Sequence, residues 1–138
     1  MAVDLRDPPP EYLAFWRERH VCTLTVVRPD GTPHVAPVGV TYDPEGGVAR
    51  VLARRDSRKA AHVAAAGAAG APVAVCQVAP RRWATLEGRA AVVTDPAAIA
   101  DAEDRYAERY GRAPAPRPDR VLLLITLTRA MGRTYGTG

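Results

Sequence analysis

V-C-T-L-T-V-V-R-P-D-G-T-P-H-V-A-P-V-G-V, residues 21–40, is the stretch that decides the fold. Its first eight residues are largely β-branched and alternate, Pro29-Asp30-Gly31-Thr32 carries turn chemistry, and Pro33 to Asp43 resumes as a strand, so it predicts a β-hairpin. A second turn at Asp43-Pro44-Glu45-Gly46-Gly47 leads into Val48 to Ala53. Three strands with such short connections are antiparallel neighbours.

Outward from that hairpin the pattern continues. Towards the N-terminus, Asp7 can cap a short helix with prolines in its first turn, which carries Tyr12, Leu13 and Trp16 at helical spacing and ends near His20. Towards the C-terminus, Asp56 caps an alanine-rich helix that runs to about Ala66, where Gly67 can end it. Pro72 to Ala79 and Trp83 to Thr94 predict two long strands around a turn at Pro80-Arg81, and Gly88 inside the second marks a bulge or a close backbone approach. Asp95-Pro96 starts a helix whose apolar face is Ile99, Ala102, Tyr106 and Tyr110 and which Gly111 stops. The alternate prolines of residues 112–119 require an extended loop, and Val121 to Thr128 is the last strand. Six strands, with helices at the N-terminus and after the third and fifth, predict a mostly β, antiparallel barrel with helices packed on it; strand and helix do not alternate as in a doubly wound sheet.

The chain of 138 residues reads as a single domain, 1–138, large enough to bury a core without staples. Cys22 and Cys76 both fall inside apolar runs, which suits small buried hydrophobes of a reducing compartment and neither a disulfide framework nor a metal site. There is no signal-peptide pattern and no run of membrane-spanning length, so a cytoplasmic protein is expected. The net charge of +4 is spread among 15 interspersed acidic residues, which argues against a nucleic-acid-binding face.

Chemistry is expected at two places. Arg54-Arg55-Asp56-Ser57-Arg58-Lys59 follows a strand and opens a helix, where unpaired N–H groups and the positive dipole end meet a hydroxyl and four cations. Lys59 is the only lysine beside 18 arginines and 26 alanines, and such a lysine marks a position where a compact ammonium on a flexible stem is needed. The segment suits an anion site, or else a solvated helix start. The second place is Pro37-Val38-Gly39, where a proline removes a ladder N–H and a glycine removes bulk, so that a flat ring could lie against the backbone; an edge strand with a bulge would look the same. Neither G-x-S-x-G, P-loop, dinucleotide fingerprint nor metal-ligand spacing is present, and His20, His34 and His62 are scattered. No catalytic side chain is therefore assigned; an enzyme without an acid/base set can still work where a redox cofactor carries the chemistry and the protein orients it.

Taken in order, P-H-V-A-P-V-G-V, R-R-D-S-R-K and R-W-A-T-L-E-G-R-A resemble the split-barrel flavin and deazaflavin oxidoreductases, the superfamily of pyridoxamine 5′-phosphate oxidase, over about Glu11 to Gly132. E-R-H at Glu18, P-H-V at Pro33, L-E-G-R-A-A-V at Leu86 and R-Y-A-E-R-Y at Arg105 are most similar to the branch that uses coenzyme F420, and within it the biliverdin reductases. The resemblance implies a six-stranded split β-barrel homodimer that transfers a hydride from reduced deazaflavin to a tetrapyrrole such as biliverdin or a similar conjugated acceptor. It implies a phosphate-binding turn at Ser57, Arg58 and Lys59 with Arg54 and Arg55 as helpers, a ring strand at Pro37, Val38 and Gly39, and Gln77 and Trp83 lining the cleft from the second subunit. His62 stands where many relatives have Asn. Arg81, Arg82 and Arg89 could form a basic rim for acceptor carboxylates, or be solvated surface. The alternatives are an FMN-dependent oxidoreductase of the same fold and a non-catalytic flavin-binding protein.

Overall fold

A computed structural model describes residues 1–134. In chain order its elements are β1 (Ala2–Val3), α1 (Pro10–Arg17), β2 (Cys22–Val27), β3 (Pro33–Val38), β4 (Thr41–Asp43), β5 (Val48–Arg54), α2 (Arg58–Ala65), β6 (Ala71–Ala79), β7 (Arg82–Val93), α3 (Pro96–Tyr110) and β8 (Arg120–Arg133). The predicted hairpin is β2 and β3, paired from Cys22 with Val38 to Val27 with Pro33. Every strand pair is antiparallel.

The described residues form eight strands where the sequence predicts six. The predicted strand from Pro33 to Asp43 is two strands, because the chain turns out of the ladder at Gly39-Val40. The other addition, β1, is a two-residue pairing with the far end of β8, too short to show any periodicity. Strand β8 itself runs five residues beyond Thr128, since β7 supplies a long partner for Arg129 to Arg133. The bulge read from Gly88 is present, with a register shift between Glu87 and Gly88; a side chain at Gly88 would strike the backbone of Thr126 and Leu127.

The sheet order is β3-β2-β6-β7-β8-β5-β4, so its two edges are the two halves of one interrupted strand. The barrel is therefore open among the described residues. Alternate residues point inward, Leu24 and Val26 from β2, Val51 from β5, Val75 from β6 and Leu123 and Ile125 from β8, all essentially inaccessible. Helix α1 covers one end with Tyr12, Phe15 and Trp16, and the Tyr12 hydroxyl reaches the Thr85 and Met131 carbonyls at 3.2 and 3.0 Å. Burying each of these apolar side chains contributes about 1.5–3 kcal/mol. The helix begins at Pro10 with Pro9 as its cap, two residues later than a cap at Asp7 would give, and the Asp7 N–H instead closes a turn on Asp4 O. None of the helices among the described residues is long and apolar enough to cross a membrane.

Candidate functional site

Strand β5 ends at Arg54, and three residues turn the chain into α2. The Arg55 N–H bonds Asp119 O at 2.8 Å and the Ser57 N–H bonds Arg54 O at 3.1 Å, which fixes the turn to the loop before β8. Ser57 and not Asp56 caps the helix: its hydroxyl accepts from the Ala60 N–H at 3.3 Å and donates to Arg54 O at 2.8 Å. Asp56 is exposed and reaches only Arg54, at 3.9 Å. The first turn of α2 thus carries Arg58 and Lys59 with no acidic residue, against the helix dipole. Lys59 is partly buried, and that burial, with the nearby charge of Arg54, pulls its ammonium below the usual lysine range. An anion at this turn would relieve both effects.

Across from it lies the end of β3, an edge strand. Gly39 is needed there on steric grounds: a Cβ would sit 2.8 Å from Tyr106 Cε2 and 3.2 Å from Tyr110 Cε2. A cleft of about 630 Å³ runs between the Pro37-Val38-Gly39 ledge, the end of β5 and the residue 112–120 loop, with Ser57 and Lys59 at its mouth. Its charged lining is Arg54, Lys59, Arg112, Arg117 and Arg120, and no acidic side chain lines it. Of these, Arg120 is committed to Glu103 and to Ala115 O at 2.6 Å, which holds the proline-rich loop in place. The cleft offers an apolar ledge at one end and an excess of positive charge at the other.

The interruption at Gly39-Val40 leaves an orphan donor and acceptor, and α3 satisfies both. The Val40 N–H donates to the Tyr110 hydroxyl at 3.1 Å, which donates in turn to His20 O at 2.9 Å. Arg109 Nη1 donates to Val40 O at 2.6 Å, while its other nitrogens reach Glu18 O and, at 2.6 Å, Gln77 Oε1. Arg109 is 8% exposed and is bonded only to neutral acceptors, between the rings of Trp16 and Tyr110. Burial pushes the Tyr110 phenol up to about 12 and likewise raises the Cys22 thiol, so both hold their protons. Sequence reading assigns Arg109 no role, since a single arginine in a charged helix gives no local signal of burial.

The predicted site residues divide. Pro37, Val38, Gly39, Arg54, Ser57 and Lys59 line the one cleft, and Arg55 and Arg58 stand on the same turn outside it. Gln77 is withdrawn: it is 1% exposed, its amide N–H bonds Phe15 O at 2.9 Å and its oxygen takes Arg109, so it belongs to the interior. Trp83 is half-buried at the start of β7, paired with Arg133 and away from the cleft. The expected basic rim does not assemble either. Arg82 is held by Glu18 at 2.6 and 3.0 Å and stacks on Phe15, Arg89 reaches Gly70 O at 3.3 Å, and Arg81 occupies the left-handed turn position. His62 packs against His34 with ring centres 5.1 Å apart and accepts from Arg28 Nε at 3.4 Å. Cys22 and Cys76 are free thiols that form no disulfide with each other.

Comparison with known proteins agrees with this geometry. The profile of the family described as Pyridoxamine 5'-phosphate oxidase matches residues 8–132. An F420H(2)-dependent biliverdin reductase from Mycobacterium tuberculosis (strain CDC 1551 / Oshkosh) is 46% identical over 120 residues, which cover 87% of this chain and 84% of that protein. Among solved structures, an F420 reductase superposes with a TM-score of 0.68 at 25% identity, covering 89% of this chain and 98% of its own. A conserved hypothetical protein from Mycobacterium tuberculosis shares the fold with a TM-score of 0.74 at 20% identity, over 93% of this chain and 85% of the other. With the open antiparallel barrel, the Lys59 turn and the Pro37–Gly39 ledge on one cleft, and a profile match over residues 8–132, the chain belongs to the pyridoxamine 5′-phosphate oxidase family.

Proposed function

We propose that this protein is an F420H2-dependent reductase that acts on a conjugated tetrapyrrole, with biliverdin reduced to bilirubin as its reaction. The observation that carries the reading is the first cleft, with an apolar, glycine-edged ledge at one end, several cations at the other and no acidic side chain in its lining. A planar ring fits the ledge, and the spread of Arg54, Lys59 and Arg117 suits a tail with a phosphodiester and several carboxylates better than the single phosphate of FMN. The 46% identical relative supports the same coenzyme and acceptor. When bound, reduced deazaflavin supplies the hydride.

The work of the chain is then binding and orientation. Lys59, with Arg54, Arg55, Arg58 and the α2 amides around Ser57, holds the negative tail, while Pro37, Val38 and Gly39 support the ring. Arg109 and Tyr110 keep the ledge in place from behind. No side chain is assigned as proton donor, and solvent delivers the proton that follows the hydride.

We also propose a homodimer. Val21, Val35 and Val78 are 76%, 59% and 71% exposed, an apolar cost that a second copy would remove, and Trp83 would complete the cleft from that copy. Light scattering is expected to give about twice 14.8 kDa. The free thiols suit a reducing, cytoplasmic location.

Protein purified from a host without deazaflavin is expected to be colourless, to quench F420 fluorescence on titration, and to oxidise F420H2 only when biliverdin is added. Stoichiometric FMN in the purified protein, with no tetrapyrrole-dependent oxidation of F420H2, would transfer the assignment to FMN chemistry; tight binding without turnover would make it a carrier.

A further inference from the structure

A second cleft, of about 460 Å³, lies on the other side of the same ledge. It shares Pro37, Val38, Gly39, Tyr106 and Arg112 with the first, and its remaining polar lining is Arg19, His20 and Tyr110. Its aromatic wall is the Tyr106–Tyr110 pair, with ring centres 4.7 Å apart. No carboxylate lines it.

Among the described residues, the two arginines of this cleft have no acidic partner. Arg82, Arg105 and Arg120 are each paired with an acidic side chain, whereas among the described residues neither Arg19 nor Arg112 is. Arg19 is nevertheless fixed. Its Nε donates to Arg109 O at 3.2 Å at the end of α3, and its guanidinium lies so close over Gly111 that a Cβ there would fall 2.7 Å from Nη2. One edge of the guanidinium is thus tied to backbone, which leaves its terminal nitrogens for another partner. His20 is bonded by Glu18 Oε1 at 3.0 Å and so is also held in orientation.

We propose that this second cleft is the acceptor subsite, that it takes flat conjugated molecules bearing carboxylates, and that Arg19 and Arg112 set that specificity. The proposal rests on the reading of the first cleft as the coenzyme site. The shared ledge puts an occupant of the second cleft beside the ring and on the far side from Lys59. Tyr106 and Tyr110 give a flat molecule its contact area, and the two unpaired guanidinium groups are each able to take a carboxylate through two N–H donors. Arg81, Arg82 and Arg89, the arginines that sequence alone suggests for this task, are engaged elsewhere.

The test is equilibrium binding to protein saturated with oxidised F420, followed by absorbance, with biliverdin and with its dimethyl ester. Biliverdin is expected to bind at least tenfold more tightly than the ester. Arg19→Gln and Arg112→Gln are each expected to lower biliverdin affinity about tenfold and to leave the ester unchanged, as for loss of a charge-assisted hydrogen bond. Arg19→Gln is expected to keep F420 affinity within about twofold of wild type, which separates this subsite from the coenzyme tail. Arg112→Gln guards against disturbance of the α3 end, since Arg112 holds no backbone there. Equal losses for acid and ester, no loss in either variant, a matching loss of F420 affinity in Arg19→Gln, or no biliverdin binding at all would each overturn the proposal. The readout needs no turnover, so a protein that discriminates acid from ester yet reduces neither would leave the subsite standing and sink the proposed reaction.

Discussion

The mouth of the first cleft and the corner behind it are both built on arginine-rich helix ends, and they use positive charge in opposite ways. At α2, Arg58 and Lys59 sit in the first turn without an acid, where each costs about 0.3–1 kcal/mol against the dipole. At α3, Arg109 sits in the last turn, where the dipole favours it, and its donors are taken up by Val40 O, Glu18 O and Gln77 Oε1. A cation that holds the fold together is placed where the fold stabilises it. On the proposed function, the α2 cations wait for a ligand and are placed where only the ligand will stabilise them.

That contrast breaks most visibly at Arg109. Arg109→Met removes the guanidinium donors from Val40 O, Glu18 O and Gln77 Oε1 and is expected to destabilise the fold by about 3–5 kcal/mol, read as a lower urea midpoint with little change in slope. If the midpoint held, the corner would be closed by packing alone. Lys59→Ala is expected to behave the other way round: F420 affinity falls by about 1.5–3 kcal/mol in a fluorescence titration, while the urea midpoint stays level or rises because an unfavourable first-turn charge is gone. A lysine variant with lower stability and full affinity would make the mouth structural and erase the distinction.

The smallest effect sharpens it. His34 faces His62, Arg28, Arg58 and Lys59, and desolvation first, then these positive neighbours, lower its pKa from the usual 6.5. Its buried Nδ1 has no partner among the described residues. The unfolded chain therefore takes up this proton at higher pH than the folded one, so stability is complete above about pH 6.5 and falls as the pH drops below it. Melting temperatures recorded between pH 7.5 and 5.5 are expected to show a shallower decline in His34→Gln than in wild type. Equal slopes would mean that the α2 cations are too well screened to be felt by β3.

What the sequence discloses follows the range of the interactions. The Lys59 turn needs only a strand end, a capping hydroxyl and neighbouring cations, all within six residues, and the Pro37–Gly39 ledge needs only its own proline and glycine. The corner was invisible, because Val40 meets Arg109 and Tyr110 across 69 and 70 residues and no local period points to it. The same blindness reads Pro33 to Asp43 as one strand, and a family resemblance that places Gln77 at the cleft does not show that its oxygen faces the buried guanidinium of Arg109. Sequence shows charge; it does not show which charges are already spoken for.

The interrupted strand also sets an order of events. Because both sheet edges are halves of one segment and their junction is closed from the end of α3, the ledge has its proper backing only after residue 110 has been made and docked. The β2–β3 hairpin can form early from contacts close in sequence, but the Val40 amide must wait through the closure of a long loop. In a stalled or truncated chain ending before α3 that hydrogen would exchange freely with solvent, and its protection in the complete protein is a clock for when the site comes into being.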